Sequence, residues 1–219
     1  FGFSRYAERL GMSANSFDEI YSSLSQDLSF IDQITVDVLG QCLSTKNPKL
    51  VCLSVPFPGN LYSAFRCGQY IKKFYPNIKI AMGGGFANTE LRQISDVRVF
   101  EFWDYIALDD GELPIELIIS NVLNPSKSNP NHQLLKRTFY LDKGKVVYNN
   151  HSLRKDYAQK DIGTPDYSDL ALDHYISVIE VANPMHSLWS DGRWNKLTMA
   201  HGCYWGKCTF CDVTLPYIS

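Results

Sequence analysis

The chain has no apolar run approaching the roughly 18–20 residues that cross a bilayer, so a membrane-spanning protein is not expected. It has no excess of either charge. Its 21 Lys and Arg against 23 Asp and Glu leave a net charge of −2 over 219 residues. That balance argues against a nucleic-acid-binding surface spread along the chain. Internal repeats and low-complexity tracts are absent. The opening, FGFSRYAERLG, lacks the charged region and apolar core of a secretory signal. It begins with Phe rather than Met, which reads as a piece of a longer protein. A secreted disulfide framework is missing too. Of the six cysteines, Cys42, Cys52 and Cys67 stand apart among apolar residues. They are expected as buried core thiols, because free cysteine packs as a small hydrophobe. Such usage points to a reducing cytoplasm.

What remains is an ordinary folded composition, 45% hydrophobic and 20% charged. Apolar spacing predicts a helix over 16–44, with Ser16 and Asp18 as cap residues. LVCLSV, Leu50 to Val55, lies between Pro48 and Pro56 and reads as a buried parallel strand. A helix follows over 61–75 and is stopped by Pro76. Ile78 to Met82 reads as a second strand, ending at Gly83-Gly84-Gly85, with a helix over 88–95. Tyr105 to Leu108 reads as a third strand. Its acidic loop leads into a helix with Pro114 in the first turn. Strand–loop–helix units in this order predict an α/β fold, a Rossmann-like doubly wound parallel sheet. Ligands bind such sheets at the carboxyl ends of the strands. The loops at 56–60, 83–87 and 109–112 belong to that edge. Beyond a polar linker, NPSKSNPNHQ, residues 137–140 and 145–148 alternate around Asp142-Lys143-Gly144, a hairpin signal. From 156 to 195 no period is visible, as in an irregular connector. The organisation expected is a helical segment over 1–47, the Rossmann-like domain over 48–123, linker, hairpin and connector over 124–195, and the start of a further domain over 196–219.

That last piece carries the chemistry. Cys203, Cys208 and Cys211 place three thiols within nine residues, spaced C-x4-C-x2-C. A loop this short can wrap one metal centre. One reading is a structural zinc site in which His201 completes a Cys3His set, although no second pair of ligands stands elsewhere in the chain. The other is a 4Fe–4S cluster held by three thiolates, with one iron open to a ligand. The chemistry of the residues alone leaves both standing.

This loop resembles the cluster loop of the radical S-adenosylmethionine enzymes, whose usual spacing is C-x3-C-x2-C. Phe210 matches the aromatic that precedes the last cysteine there, and the first gap here holds one extra residue. The upstream segments LVCLSVPF, PNIKIAMGGGF and DYIALDDGELP resemble the cobalamin-binding, Rossmann-like domain of one large branch of these enzymes. Residue by residue the match falls on Ser54, Gly83, Gly84, Asp104, Gly111 and Glu112. PDYSDLALDHY resembles the connector from that domain to the barrel. Together the resemblance covers about residues 48–219.

It implies an enzyme in which Cys203, Cys208 and Cys211 hold the cluster and S-adenosylmethionine occupies the open iron. Reductive cleavage of that cofactor would follow, fed by an electron donor such as flavodoxin or ferredoxin. Cobalamin, used by part of the branch, implies methyl transfer or related radical chemistry on a small-molecule substrate whose identity the sequence leaves open. Ser54, Gly83, Gly84, Gly85, Gly111 and Glu112 would then lie at the cobalamin site. The Asp-x-His-x-x-Gly motif that supplies a lower axial histidine elsewhere is absent, and His132, His151, His174 and His186 sit in other contexts. Trp189, Trp194, Tyr204 and Trp205 either shield the cluster or pack on the barrel. The barrel itself would follow residue 219, so this piece alone is expected to be inactive. The alternative is a non-enzymatic Rossmann-like binding module with the Cys3His zinc site.

Overall fold

The computed structural model describes residues 17–124, 134–170, 203–205 and 207. The chain divides into two compact units, Phe1–Asp156 and Tyr157–Ser219. The first is an α/β domain built on one open, five-stranded mixed sheet.

Its amino-terminal helical region is two helices, α1 (Phe17–Leu24) and α2 (Phe30–Lys46), where the spacing predicted one. Local chemistry makes the break. Ser29 caps α2: Asp32 N–H donates to Ser29 Oγ at 3.1 Å, and Ser29 N–H donates to Asp32 Oδ2 at 3.0 Å. This reciprocal pair satisfies amides that a continuous helix would have used internally. α2 ends at Asn47, in the left-handed region with φ 41°.

Strand β1 (Leu50–Ser54) leads through α3 (Leu61–Phe74) to β2 (Lys79–Gly83), and a short α4 (Gly85–Glu90) precedes β3 (Tyr105–Ala107). β1, β2 and β3 are parallel, with Ser54 opposite Gly83 and Met82 opposite Ile106. After α5 (Glu112–Leu123) the hairpin β4 (Thr138–Asp142) and β5 (Lys145–Asn149) continues the same sheet antiparallel, Ile106 facing Phe139. Lys143 (φ 48°) and Gly144 (φ 77°) supply the positive angles of a two-residue hairpin turn. The sheet is therefore mixed, not the doubly wound parallel sheet expected, because the predicted hairpin joins it antiparallel as its outer pair.

Two apolar layers cover the sheet. On one face Leu43, Phe65, Ile71, Ile80, Phe102 and Trp103 are buried among α1–α4. α3 lies so close that a Cβ on Gly68 would stand 2.9 Å from the Phe102 carbonyl. On the other face α5 buries Leu113, Leu117 and Ile118 against Ala81, Tyr105 and Ala107. β1 is an edge strand, only partly covered. Cys42 and Cys52 are consequently exposed and Cys67 half-buried, which corrects the expectation of three core thiols. An apolar neighbourhood in sequence does not bury a side chain on an edge strand or on the outer face of a helix. No helix among the described residues is long and apolar enough to cross a membrane.

One buried ion pair pins the helical layer. Arg66 lies 3.4 Å from Asp32, their side chains 2% and 4% exposed. Arg66 also donates to the carbonyls of Leu24 (2.9 Å) and Ser23 (3.3 Å) at the end of α1, and to Tyr62 Oη. Asp32→Ala is expected to cost roughly 3–5 kcal/mol, because it strands a buried guanidinium. Asp32→Leu combined with Arg66→Met should cost clearly less than the sum of the single changes. Urea unfolding of the unaltered protein, Asp32→Ala, the two single changes of the pair and their combination checks both expectations.

Candidate functional site

The carboxyl ends of β1, β2 and β3 open into a cleft of about 330 Å³ beside α5. Its floor is small and apolar: Ala81, Gly83 and Ala107 from the strands, Ile115 and Ile118 from the helix. The structure brings Ser54, Gly83, Gly84 and Gly111, four residues singled out in the sequence, onto this one cleft. Gly85 and Glu112 are exposed beside it, outside its lining. Asp104 is elsewhere. It precedes β3, at the opposite edge of the sheet, where its carboxylate accepts from Lys72 (2.6 Å), Lys79 (2.9 Å) and the Ile80 amide (2.9 Å). Its role is to tie α3 to the start of β2.

The glycines divide into two kinds. Gly84 has φ 100°, and a Cβ there would stand 2.8 Å from both the nitrogen and the oxygen of Val55. A Cβ on Gly85 would meet the Pro56 carbonyl oxygen at 2.8 Å. These two are small because the end of β1 crosses them. Val55 is hydrogen-bonded on both sides of that crossing, its N–H donating to Gly83 O and its carbonyl accepting from Phe86 N–H. Gly83 and Gly111 have open surroundings, with nothing nearer than 3.6 Å to an added Cβ. They leave room in the cleft itself.

The sequence reading missed two cleft residues. Cys52 lines the floor one alternation before Ser54; strand alternation, which puts residues i and i+2 on one face, is the signal that could have found it. Burial by its neighbours still pushes its thiol pKa up, although the residue as a whole is exposed. Asp109, with φ 61°, turns its carboxylate inward, 7% exposed. Arg92 pairs with it, Arg137 Nε stands 3.8 Å away, and its amide donates to Asn88 Oδ1 at 2.7 Å. Among the described residues no Lys, Arg or His lines the cleft.

Arg137 fixes the rim. It donates to the carbonyls of Leu108 (3.3 Å) and Asp110 (2.9 Å), and makes two bonds to the Asp156 carboxylate at 2.9 and 2.7 Å. That hydrogen bonding holds the Asp156 carboxyl below the ordinary carboxylate range. A larger cavity of about 500 Å³ lies between the α1–α2 turn and α3. Its buried Arg66 is already committed to Asp32, Tyr62 and the end of α1, so it offers no comparable site.

Of the cysteine loop, Cys203 is exposed. Cys208, Cys211, Phe210 and His201 lie outside the described residues, as do Trp189, Trp194, His132, His174 and His186. Tyr204 and Trp205 are exposed, and Lys207 Nζ stands 5.8 Å from the Trp205 ring centroid. Among the described residues no three Cys, His, Asp or Glu side chains are grouped to hold a metal.

Gly84→Ala should destabilise the first unit by at least about 2 kcal/mol, since positive φ and overlap with Val55 act together. Gly144→Ala, at positive φ but with open space around it, should cost only about 1 kcal/mol. Thermal unfolding of both variants measures the difference. Comparison with family models, with curated proteins and with solved structures found no match.

Proposed function

We propose that the chain is the amino-terminal part of a radical S-adenosylmethionine iron–sulfur enzyme. The observation that carries this reading is the C-x4-C-x2-C loop, three thiols in nine residues, following an α/β domain. Three thiolates suit a cube with one iron left for a small-molecule ligand, whereas zinc would need His201 as its fourth donor. In this reading Cys203, Cys208 and Cys211 hold the cluster and Phe210 lies beside it. When bound, the cluster supplies the electron that cleaves S-adenosylmethionine. A flavodoxin or ferredoxin would deliver that electron, and the reaction would run in a reducing cytoplasm. The free thiols at Cys42, Cys52 and Cys67 support that compartment.

The first unit is then a Rossmann-like, cobalamin-binding-like domain. The parallel β1–β3 core and the cleft at its carboxyl edge support this. The cleft suits the nucleotide tail of cobalamin in size and in character. Its volume falls within the range of small-molecule sites. The apolar floor of Ala81, Ala107 and Ile118 takes a flat base, and Ser54 presents a hydroxyl. The one carboxylate, Asp109, is already neutralised by Arg92. With no cationic side chain among the described residues of the lining, the tail's phosphate would stay in water. Exposed Glu112 reinforces that placement.

Iron, sulfide and zinc analysis of the full-length protein, purified without oxygen, tests the cluster. About four irons and four sulfides per chain are expected, lost on replacing Cys203, Cys208 or Cys211 by Ser. About one zinc with no sulfide would overturn the proposal in favour of a binding module with a zinc-pinned loop. Hydroxocobalamin titration, read by absorbance, tests the cleft separately. Saturable binding is expected, weakened at least about tenfold by Ala107→Phe, which fills the floor (~1.4 kcal/mol or more). No binding by the unaltered protein would leave the domain as a scaffold without cobalamin.

A further inference from the structure

The sheet ends differently on its two sides. β5 carries a charge within the strand, Lys145, whereas β1 has neither charge nor proline between Leu50 and Ser54, its Pro48, Lys49 and Pro56 lying just outside. Charges and prolines are the usual guards of an open edge. The register fixes which groups β1 leaves over. Lys49 O accepts from Lys79 N–H and Val55 N–H donates to Gly83 O, so the odd-numbered residues face β2. The backbone N–H and C=O groups of Leu50, Cys52 and Ser54 therefore point outward, and among the described residues no strand pairs with them. On the sheet face beside them, Cys52 and Ser54 are exposed, as are Ile115 (39%) and Ile119 (40%) of α5.

We propose that this edge joins two copies of the chain, β1 pairing antiparallel with β1 of the second copy about a twofold axis at Cys52. The strand is its own complement. Cys52 is central and Val51 and Leu53 flank it with similar apolar side chains. Leu50 of one copy then exchanges hydrogen bonds with Ser54 of the other, and Cys52 with Cys52, so every outward group finds a partner. Pro48 and Pro56 end the ladder alike at both ends.

Charge selects the antiparallel arrangement. Exposed Lys46 and Lys49 stand at the amino edge of the sheet, and exposed Glu112 at the carboxyl edge. A twofold axis lays Lys49 of each copy alongside the Glu112 end of the other, whereas parallel pairing sets like charges side by side. The axis is perpendicular to the sheet, so both α5 helices stay on one face. Ile115 and Ile119 of each copy then border a shared trough, and Leu50 of the second copy extends the wall of the cleft next to Ser54. None of this depends on the cluster or cobalamin, and a negative iron analysis leaves it untouched.

Sedimentation equilibrium of the full chain under reducing conditions should give twice the chain mass. Cys52→Lys, at an exposed position, should return the monomer mass with an unchanged circular dichroism spectrum. Opposed Cα atoms of such a pair lie about 5.5 Å apart, within disulfide range. Copper–phenanthroline oxidation at about pH 10, well above the usual thiol pKa because burial raises that of Cys52, should cross-link the unaltered chain, and Cys52→Ser should abolish that cross-link. A dimer that survives Cys52→Lys, or cross-links through another cysteine, overturns the proposal. So does a monomer: slow hydrogen exchange at the Cys52 amide would show another segment of the chain on this edge, and fast exchange would show it open.

Discussion

The passage of Val55 over Gly84 is the contact on which the rest of the cleft depends. It brings the end of β1 within hydrogen-bonding distance of both Gly83 and Phe86. A side chain at Gly84 or Gly85 would push the two segments apart. With them together, Ser54 and Gly83 stand opposite each other in register at the strand ends. α4 starts at once, with no intervening loop to fill the space beside them. Two glycines thus serve the backbone, and their neighbours Gly83 and Gly111 serve the opening.

The charged residues near this architecture are mostly committed to holding it. Asp104 clamps two lysines and an amide at the far edge. Arg66 and Asp32 fasten α1, α2 and α3. Arg137 ties the hairpin and Asp156 to the loop that follows β3. Each of these charges faces an opposite one, so the cleft is left nearly neutral. Recognition there must rest on shape, on Ser54 and on backbone groups rather than on a strong field.

Elements with a local cause were legible in the sequence. β1, α3, β2, β3 and α5 fall within a residue or two of where apolar spacing, Pro76 and Pro114 place them. The hairpin follows from alternation around Lys143-Gly144, because only positive φ closes a two-residue turn. The Ser29 break was missed because apolar spacing continues through it, and the reciprocal hydrogen bonds with Asp32 outweigh that spacing. The three scattered cysteines were misjudged for a different reason. Cys52 has the same apolar neighbours whether β1 is central or at an edge, and strand order decides its exposure.

The sequence by itself determined the kinds of element, the order in which strands and helices alternate, and the clustering of three thiols near residue 211. These are properties of residues near one another along the chain. Tertiary structure decided that the hairpin joins the parallel strands in one sheet and that β1 lies at its edge. It also decided that Ser54, Gly83 and Gly111 share a cleft from which Asp104 is excluded. Those outcomes depend on which distant segments pair and which faces are covered. The spacing of residues along one segment carries no record of its partner, so only the folded sheet can assign them.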